Sequence, residues 1–252
     1  VNRQLLNSYD EEVNLASKVQ QMLLPKSSPL CDWCCMGVKN HMAEGLGGDY
    51  FDFISIPDNR QAVVLGDVTG HGLHASVIMS LLLGFIHRSS ANICTPLDMV
   101  LQVNHFLNFF GKRSLKFDHL FSSTLFFAVI DPQTLEMQYV NAGHCSPMVL
   151  RQDRIIYLSP TGPPVGFFNE PEIEQQSFRL QKGDRMLIHT DGIIEAFSPQ
   201  GDLFGRSRLE KVLLAGSADY LEFLDQIFEE LRMFMHSPYP DDDCTAIVMD
   251  FH

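Results

Sequence analysis

Residues 62–72 read AVVLGDVTGHG, four apolar residues followed by an aspartate set among three glycines. The apolar run reads as a strand inside a core. Asp67 therefore stands where that strand leaves the core, and Gly66, Gly70 and Gly72 give the backbone freedom to turn and to approach a neighbour closely. One such place is an ordinary turn, but three more occur. GGDYFDF (47–53) puts Asp49 after paired glycines, and LIHTDGIIEAF (187–197) ends an apolar strand with Asp191-Gly192. PDDDCTAIVM (240–249) sets Asp241, Asp242 and Asp243 at the mouth of a final strand. If the fold gathers these strand ends, several carboxylates share one pocket, an arrangement tolerable only with a cation among them. Oxygen ligands without a histidine cluster suit Mg²⁺ or Mn²⁺ better than zinc, and a main-chain carbonyl beside glycine can join them.

Working outward, short aromatic or β-branched segments near 33–40, 48–56 and 61–67 predict strands. Residues 72–88 are apolar nearly all round and predict a buried helix. Thr95-Pro96 caps a second helix running to about 110. From 121 to 157 four strand-like runs separated by turns predict an antiparallel meander. Strands near 173–180 and 184–190, helices near 206–214 and 218–235, and a last strand in CTAIVMDF follow. Two blocks of strands with helices between and after predict an α+β fold, an antiparallel sandwich covered by helices. Ahead of them, residues 5–24 predict a helix stopped by Pro25. Its Leu6, Tyr9, Val13, Ala16, Gln20 and Leu23 are spaced three and four apart, as in a coiled-coil seam or a helix packed on its own domain.

The chain has 252 residues, 45% hydrophobic, and a net charge of −13. That charge argues against nucleic acid as the main partner. No apolar run approaches the roughly 20 residues of a membrane span, and a cytoplasmic protein is expected. The chain begins with Val1 in mid-pattern, which suggests a fragment of a longer protein. Six cysteines are scattered, and the one C-x2-C, Cys31 and Cys34, has no second pair at zinc-finger spacing; reduced thiols are the reading. No G-x-x-x-x-G-K-[ST] or G-x-S-x-G motif is present, and GGDYF has tyrosine where a GGDEF cyclase loop needs glutamate. His71 and His144, each beside a glycine, are read as turn-fixing residues.

Taken together, SKVQQMLLP (17–25), GGDYFDF, GDVTGHGLHASVIM (66–79), VNAGHCSPMVL (140–150), TGPPVGFF (161–168), KGDRMLIHTDGIIEAF (182–197), LFG (203–205) and DDCT (242–245) stand in one order and spacing. On these motifs the chain, from about residue 12 to 251, resembles the SpoIIE-type (RsbU-like) PPM metal-dependent protein phosphatases. The resemblance implies a four-layer α-β-β-α sandwich with two Mn²⁺ or Mg²⁺ ions at one end of the sheets. It implies that Asp67 bridges both ions and that the Val68 carbonyl and Asp49, directly or through water, serve the second. Asp191 and Asp242 would hold the first, Asp242 being preferred to Asp243 because the first carboxylate of DDxT is the ligand. The ions would activate a shared water for attack on phosphoserine or phosphothreonine, with Asp67 and Asp49 acting through that metal-bound water. The implied substrate is a phosphorylated regulatory protein such as an anti-sigma-factor antagonist. Residues 1–25 would be a linker helix to an upstream sensor or receiver, able to pair in a homodimer through 5–24, and residues 26–252 the phosphatase domain. A phosphoprotein-binding module of the same fold is the alternative. Many animal and plant relatives carry a phosphate-binding arginine before the first acidic motif; none lies between Arg3 and Arg60, and Lys39 is the nearest cation. The basic stretch GKRSLKFDH (111–119) reads as a solvated loop or, alternatively, as a recruiting site for an acidic phosphoprotein.

Overall fold

In the last strand, alternate residues enter different cores: Ile247, Met249 and Phe251 join one cluster, while Ala246 and Val248 join another. Period-two alternation with apolar residues on both faces requires a strand covered on both sides. The architecture follows from this. The computed structural model describes residues 2–43, 45–91, 95–113, 116, 118–216, 219–238 and 240–252, the first nine of these and residue 118 by backbone alone. One sheet has the order β1 (Cys34–His41), β10 (Cys244–Phe251), β9 (Arg185–His189), β6 (Met148–Arg151), β7 (Arg154–Tyr157). The other has β2 (Asp49–Ile56), β3 (Arg60–Val68), β4 (Ser123–Ile130), β5 (Glu136–Ala142), β8 (Gln176–Arg179). Every pairing between these strands is antiparallel.

Four layers result. Helices α2 (Leu73–Ser89) and α3 (Pro96–Gly111) cover the β2–β8 sheet, and the larger core runs from them through that sheet to the inner face of the other. Helices α5 (Gly205–Ala215) and α6 (Tyr220–Met235) cover the outer face of the β1–β7 sheet and close the second core. This is the α-β-β-α sandwich expected. Thr95 caps α3 by accepting the Asp98 N–H, with Pro96 in the first turn, as the sequence signals.

Three expectations change. The run from 121 to 157 is not one meander: β4 and β5 pair in one sheet, β6 and β7 in the other. The chain changes sheet at Gly143, held at φ +66, where an added Cβ would stand 2.5 Å from Pro164. Local periodicity carries no record of which sheet a strand joins. Helix α2 buries Met79, Leu82 and Ile86 but leaves Leu73, Val77 and Leu81 exposed, so it is amphipathic rather than wholly buried. Helix α1 (Asn2–Leu23) rests on α2 and turns Ser17, Gln20 and Leu24 inward, while Leu15, Val19, Met22 and Leu23 face solvent. Gln20, placed in the seam by its spacing, therefore faces its own domain. Among the described residues no helix is long and apolar enough to cross a membrane. Cys94 lies outside the described residues, and the described cysteines are free.

Candidate metal centre

Antiparallel pairing puts directly opposed residues on the same face of a sheet. Asp49 opens β2 and Asp67 lies near the end of β3, and they face each other in register. On the other sheet, β9 ends at His189 and β10 begins at Cys244 beside it, which brings Asp191 next to Asp242 and Asp243. Asp191 starts a one-turn helix, α4 (Asp191–Ile194), that the sequence reading does not anticipate. Gly192 is needed there: a Cβ would lie 2.1 Å from the Asp243 carbonyl oxygen.

The two sheet ends are clasped reciprocally. Asp49, fully buried on the β2–β3 side, accepts from Thr190 Oγ1 (2.9 Å) and Thr245 Oγ1 (2.5 Å) of the other sheet, both at Oδ2. Asp243 returns one bond across the gap, accepting the Gly48 N–H at Oδ2 (2.7 Å), while its Oδ1 accepts the Ala43 N–H (3.0 Å) from the end of β1 in its own sheet. Gly47 makes room for this carboxylate, since a Cβ there would fall 2.2 Å from Asp243 Oδ2. Gln20 holds the same loop from α1, donating to the Gly47 carbonyl (2.6 Å) and accepting its N–H (3.1 Å).

Electrostatics register the crowding. Burial, followed by Asp191, Asp242 and Asp243, pushes the Asp67 carboxyl up to about 8. Asp49 is held well above the ordinary range by burial, Asp67 and Asp243, against the pull of the two threonine hydroxyls. Asp191 is raised by burial, Glu195 and Asp242. Asp243 is also raised by burial, although the two backbone N–H groups oppose the rise. Five carboxylates from four strand ends thus share one field, as the sequence anticipates.

The donor set fits a hard divalent cation on two observations. Asp49 Oδ1 is buried and has no hydrogen-bond partner. A Cβ built on Gly48 would stand 3.0 Å from the Val68 carbonyl oxygen and 3.1 Å from Asp67 Oδ1, so both oxygens border the space that glycine leaves open. Among the described residues no group of three or more His, Cys, Asp or Glu side chains is arranged to hold an ion by itself. An ion here would complete its shell with main-chain oxygen and water, which is the habit of Mg²⁺.

Asp242 is exposed, and its Oδ1 accepts only the N–H of Asp243. Lys39 lies elsewhere, paired with Asp225 of α6 at 2.6 Å and set over the Phe228 ring. His71 is exposed on the loop between β3 and α2. His144 does more than fix a turn: its main-chain N–H bonds Asn141 Oδ1 (2.9 Å), and its ring Nδ1 meets Thr124 Oγ1 (2.9 Å) on β4. Thr124 Oγ1 in turn accepts the Asp67 N–H at 3.3 Å. The sequence reading gives Thr190, Thr245 and Thr124 no role of their own and names Gln20 only for its helical spacing. The threonine of DDCT, two residues from Asp243, was the one available signal.

A family model described as Stage II sporulation protein E (SpoIIE) matches residues 57–252. Among curated proteins, the chain is 28% identical over 260 residues to Protein IcfG of Synechocystis, covering 94% of this chain and 41% of that protein. It is 27% identical over 188 residues to the phosphoserine phosphatase RsbP of Bacillus subtilis, covering 73% and 45% respectively. The chain thus spans less than half the length of these two relatives. Among solved structures, the SiaA-PP2C domain of Pseudomonas aeruginosa superposes with a TM-score of 0.85 over 98% of this chain and 99% of that one. At 16% identity, this likeness speaks for the fold alone.

Proposed function

The chain belongs to the SpoIIE family, and on that premise we propose that its acid cluster is the centre of a metal-dependent protein phosphatase. The observation that carries this reading is the convergence of Asp49, Asp67, Asp191 and Asp242, with one buried carboxylate oxygen left unpartnered. In this reading Asp67, the Val68 carbonyl, Asp49, Asp191 and Asp242 would together hold two Mg²⁺ or Mn²⁺ ions. Asp67 would be central, with Val68 and Asp49 on the β2–β3 side and Asp191 and Asp242 on the β9–β10 side. Asp243 is left to its clasp, because both of its oxygens already accept N–H bonds. When bound, the ions supply water activation and neutralise charge on the phosphoryl oxygens.

The chain's own groups do the rest. Thr190 and Thr245 fix Asp49 by occupying Oδ2 and leave its buried Oδ1 without a partner. Register fixes Asp67 against Asp49, and Thr124 holds the Asp67 main chain. Such preorganisation lets the carboxylates serve without rearrangement during the reaction. The proposed substrate is phosphoserine or phosphothreonine on a regulatory protein, with the domain as the output of a bacterial signalling chain. Residues 1–25 are read as its linker, and the exposed Leu15, Val19 and Met22 on α1 support pairing with a second copy.

Turnover of p-nitrophenyl phosphate with Mn²⁺, compared between wild type and Asp67→Ala, tests the centre. A rate lost in the variant is expected, and equal rates would remove the mechanism. Sedimentation with and without residues 1–25 tests the linker, and two monomers would count against pairing through it.

A further inference from the structure

Beside the acid cluster a cleft of about 380 Å³ is lined by Lys112, His119, Ser122, Gly166 and Phe167, among others. It is tied to the centre by a short path. Ser122 accepts the Thr69 N–H at its carbonyl (3.0 Å), and the two hydroxyls meet at 2.7 Å. Thr69 directly follows the Val68 of the proposed centre, and Ser123 Oγ donates to the Asp67 carbonyl at 2.7 Å. The wall of the cleft is therefore built on the strand end that carries Asp67.

One rim is aromatic and held in place. Phe167 and Phe168 are 67% and 52% exposed, unusual for adjacent large apolar rings. Their loop is not loose. Buried Asn104 of α3 accepts the Gly166 N–H (2.8 Å) and donates to the carbonyls of Phe168 (3.1 Å) and Asn169 (3.4 Å). Asn108 adds a second donor to the Phe168 carbonyl, and Val165 exchanges two backbone bonds with Ser123. The fold fixes this backbone and presents the rings outward.

Two other residues lining the cleft, Lys112 and His119, are basic. Lys112, Arg113 and His119 are exposed, and Arg113 lies over the rings of Phe109 (4.6 Å) and Phe110 (5.1 Å), which orients its charge. On a chain of net charge −13, an acidic partner is repelled over most of the surface and attracted here. A polynucleotide would bring a phosphate row against the neighbouring carboxylates, so an acidic protein segment fits better.

We propose that the rim formed by Lys112, Arg113 and His119 with Phe167 and Phe168 is the docking surface for an acidic phosphoprotein, gripping residues that flank the phosphoresidue. This rests on the phosphatase reading of the acid cluster. An extended peptide advances about 3.3 Å per residue, so residues two to four positions from the phosphoresidue extend about 7–13 Å beyond it and are the ones to vary.

The test uses three substrates with Mn²⁺: a phosphoserine peptide flanked by Asp and Glu at those positions, the same peptide flanked by Lys, and p-nitrophenyl phosphate. Wild type is expected to prefer the acidic peptide at least tenfold in kcat/KM. Lys112→Glu combined with Arg113→Glu should abolish or invert that preference and leave p-nitrophenyl phosphate turnover within twofold. Phe167→Ser with Phe168→Ser should raise KM for the acidic peptide without changing kcat. Absence of any preference in wild type, a preference that survives charge reversal, or loss of p-nitrophenyl phosphate turnover on reversal would each overturn the proposal. If wild type turned over none of the three, the phosphatase reading itself would fall. Fluorescence anisotropy of the labelled peptides scores docking independently of turnover: binding of the acidic peptide that reversal removes supports the surface, and charge-blind binding overturns it.

Discussion

Replacing Asp67 by asparagine should stabilise the metal-free protein while abolishing its activity. The Asp67 carboxyl ordinarily ionises near 3.8 and is pushed up to about 8 by burial and by Asp191, Asp242 and Asp243. A group whose folded value lies above its unfolded value draws stability away as pH climbs between the two. At pH 7, about three pH units above the ordinary value, the penalty approaches ~4 kcal/mol at ~1.4 kcal/mol per unit. Because Asp49 shares the same crowding, removing this carboxyl should recover about 2–4 kcal/mol. With a urea slope of about 1–3 kcal/mol per molar, the unfolding midpoint in EDTA at pH 7 should rise by roughly 1 M. Near pH 3, below the ordinary value of 3.8, the carboxyl is largely protonated in both folded and unfolded chains, so the gain should shrink toward zero. Saturating Mn²⁺ should reverse the order, adding about 4 kcal/mol to wild type at about one thousand times Kd and little to the variant. A variant no more stable than wild type in EDTA at pH 7 would refute the crowding argument.

Thr245→Val removes the 2.5 Å bond to Asp49 Oδ2, leaving that carboxylate harder to ionise; Mn²⁺ affinity measured by calorimetry should fall about tenfold, with the steepest loss at low pH. Gln20→Leu strips both bonds from Gly47 and leaves its buried N–H and carbonyl without partners, which should cost about 2–3 kcal/mol in urea unfolding and lower activity at subsaturating metal. His144, buried and held neutral, has its ring pushed down to about 3 by burial and the neighbouring His189. Its folded value lies below the unfolded 6.5, so the unfolded chain binds the extra proton and stability falls as pH drops below that value. The loss should be about 2 kcal/mol by pH 5, and His144→Gln should flatten that limb of the stability curve.

Strand ends were legible because their chemistry is local. An apolar run meeting Asp and Gly marks both the exit from a core and the acid it presents, as at Leu65-Gly66-Asp67 and His189-Thr190-Asp191. CTAIVMDF likewise reads as a strand, though that both its faces are covered appears only in the fold. What remained hidden depends on pairing between distant segments. The sheet change after Ala142 is set by the fit of Gly143 against Pro164, twenty-one residues on in the chain. Nothing local to Thr190 or Thr245 says that both hydroxyls turn toward Asp49, 141 and 196 residues away. Gln20 shows the limit of spacing: a three-four pattern fits a seam and a helix on its own domain alike, and only the fold shows the side chain bonded to the backbone of Gly47.

The reciprocal clasp also explains why an acid cluster can persist between two sheets. Within each sheet, ladder bonds fix one pair of acids: Asp49 against Asp67, and the β9 end against the β10 start. Between sheets, the apolar core supplies attraction but little directional control. Direction comes from three bonds that cross the gap, two hydroxyls into Asp49 and the Gly48 N–H into Asp243. The two carboxylates that hold the sheets in place therefore attract donors from the opposite side, partly offsetting the repulsion they bring. Asp67, Asp191 and Asp242 receive no such donors across the gap among the described residues, so their charge remains for something else to satisfy. That division separates the acids that align the sheets from those that an ion would need.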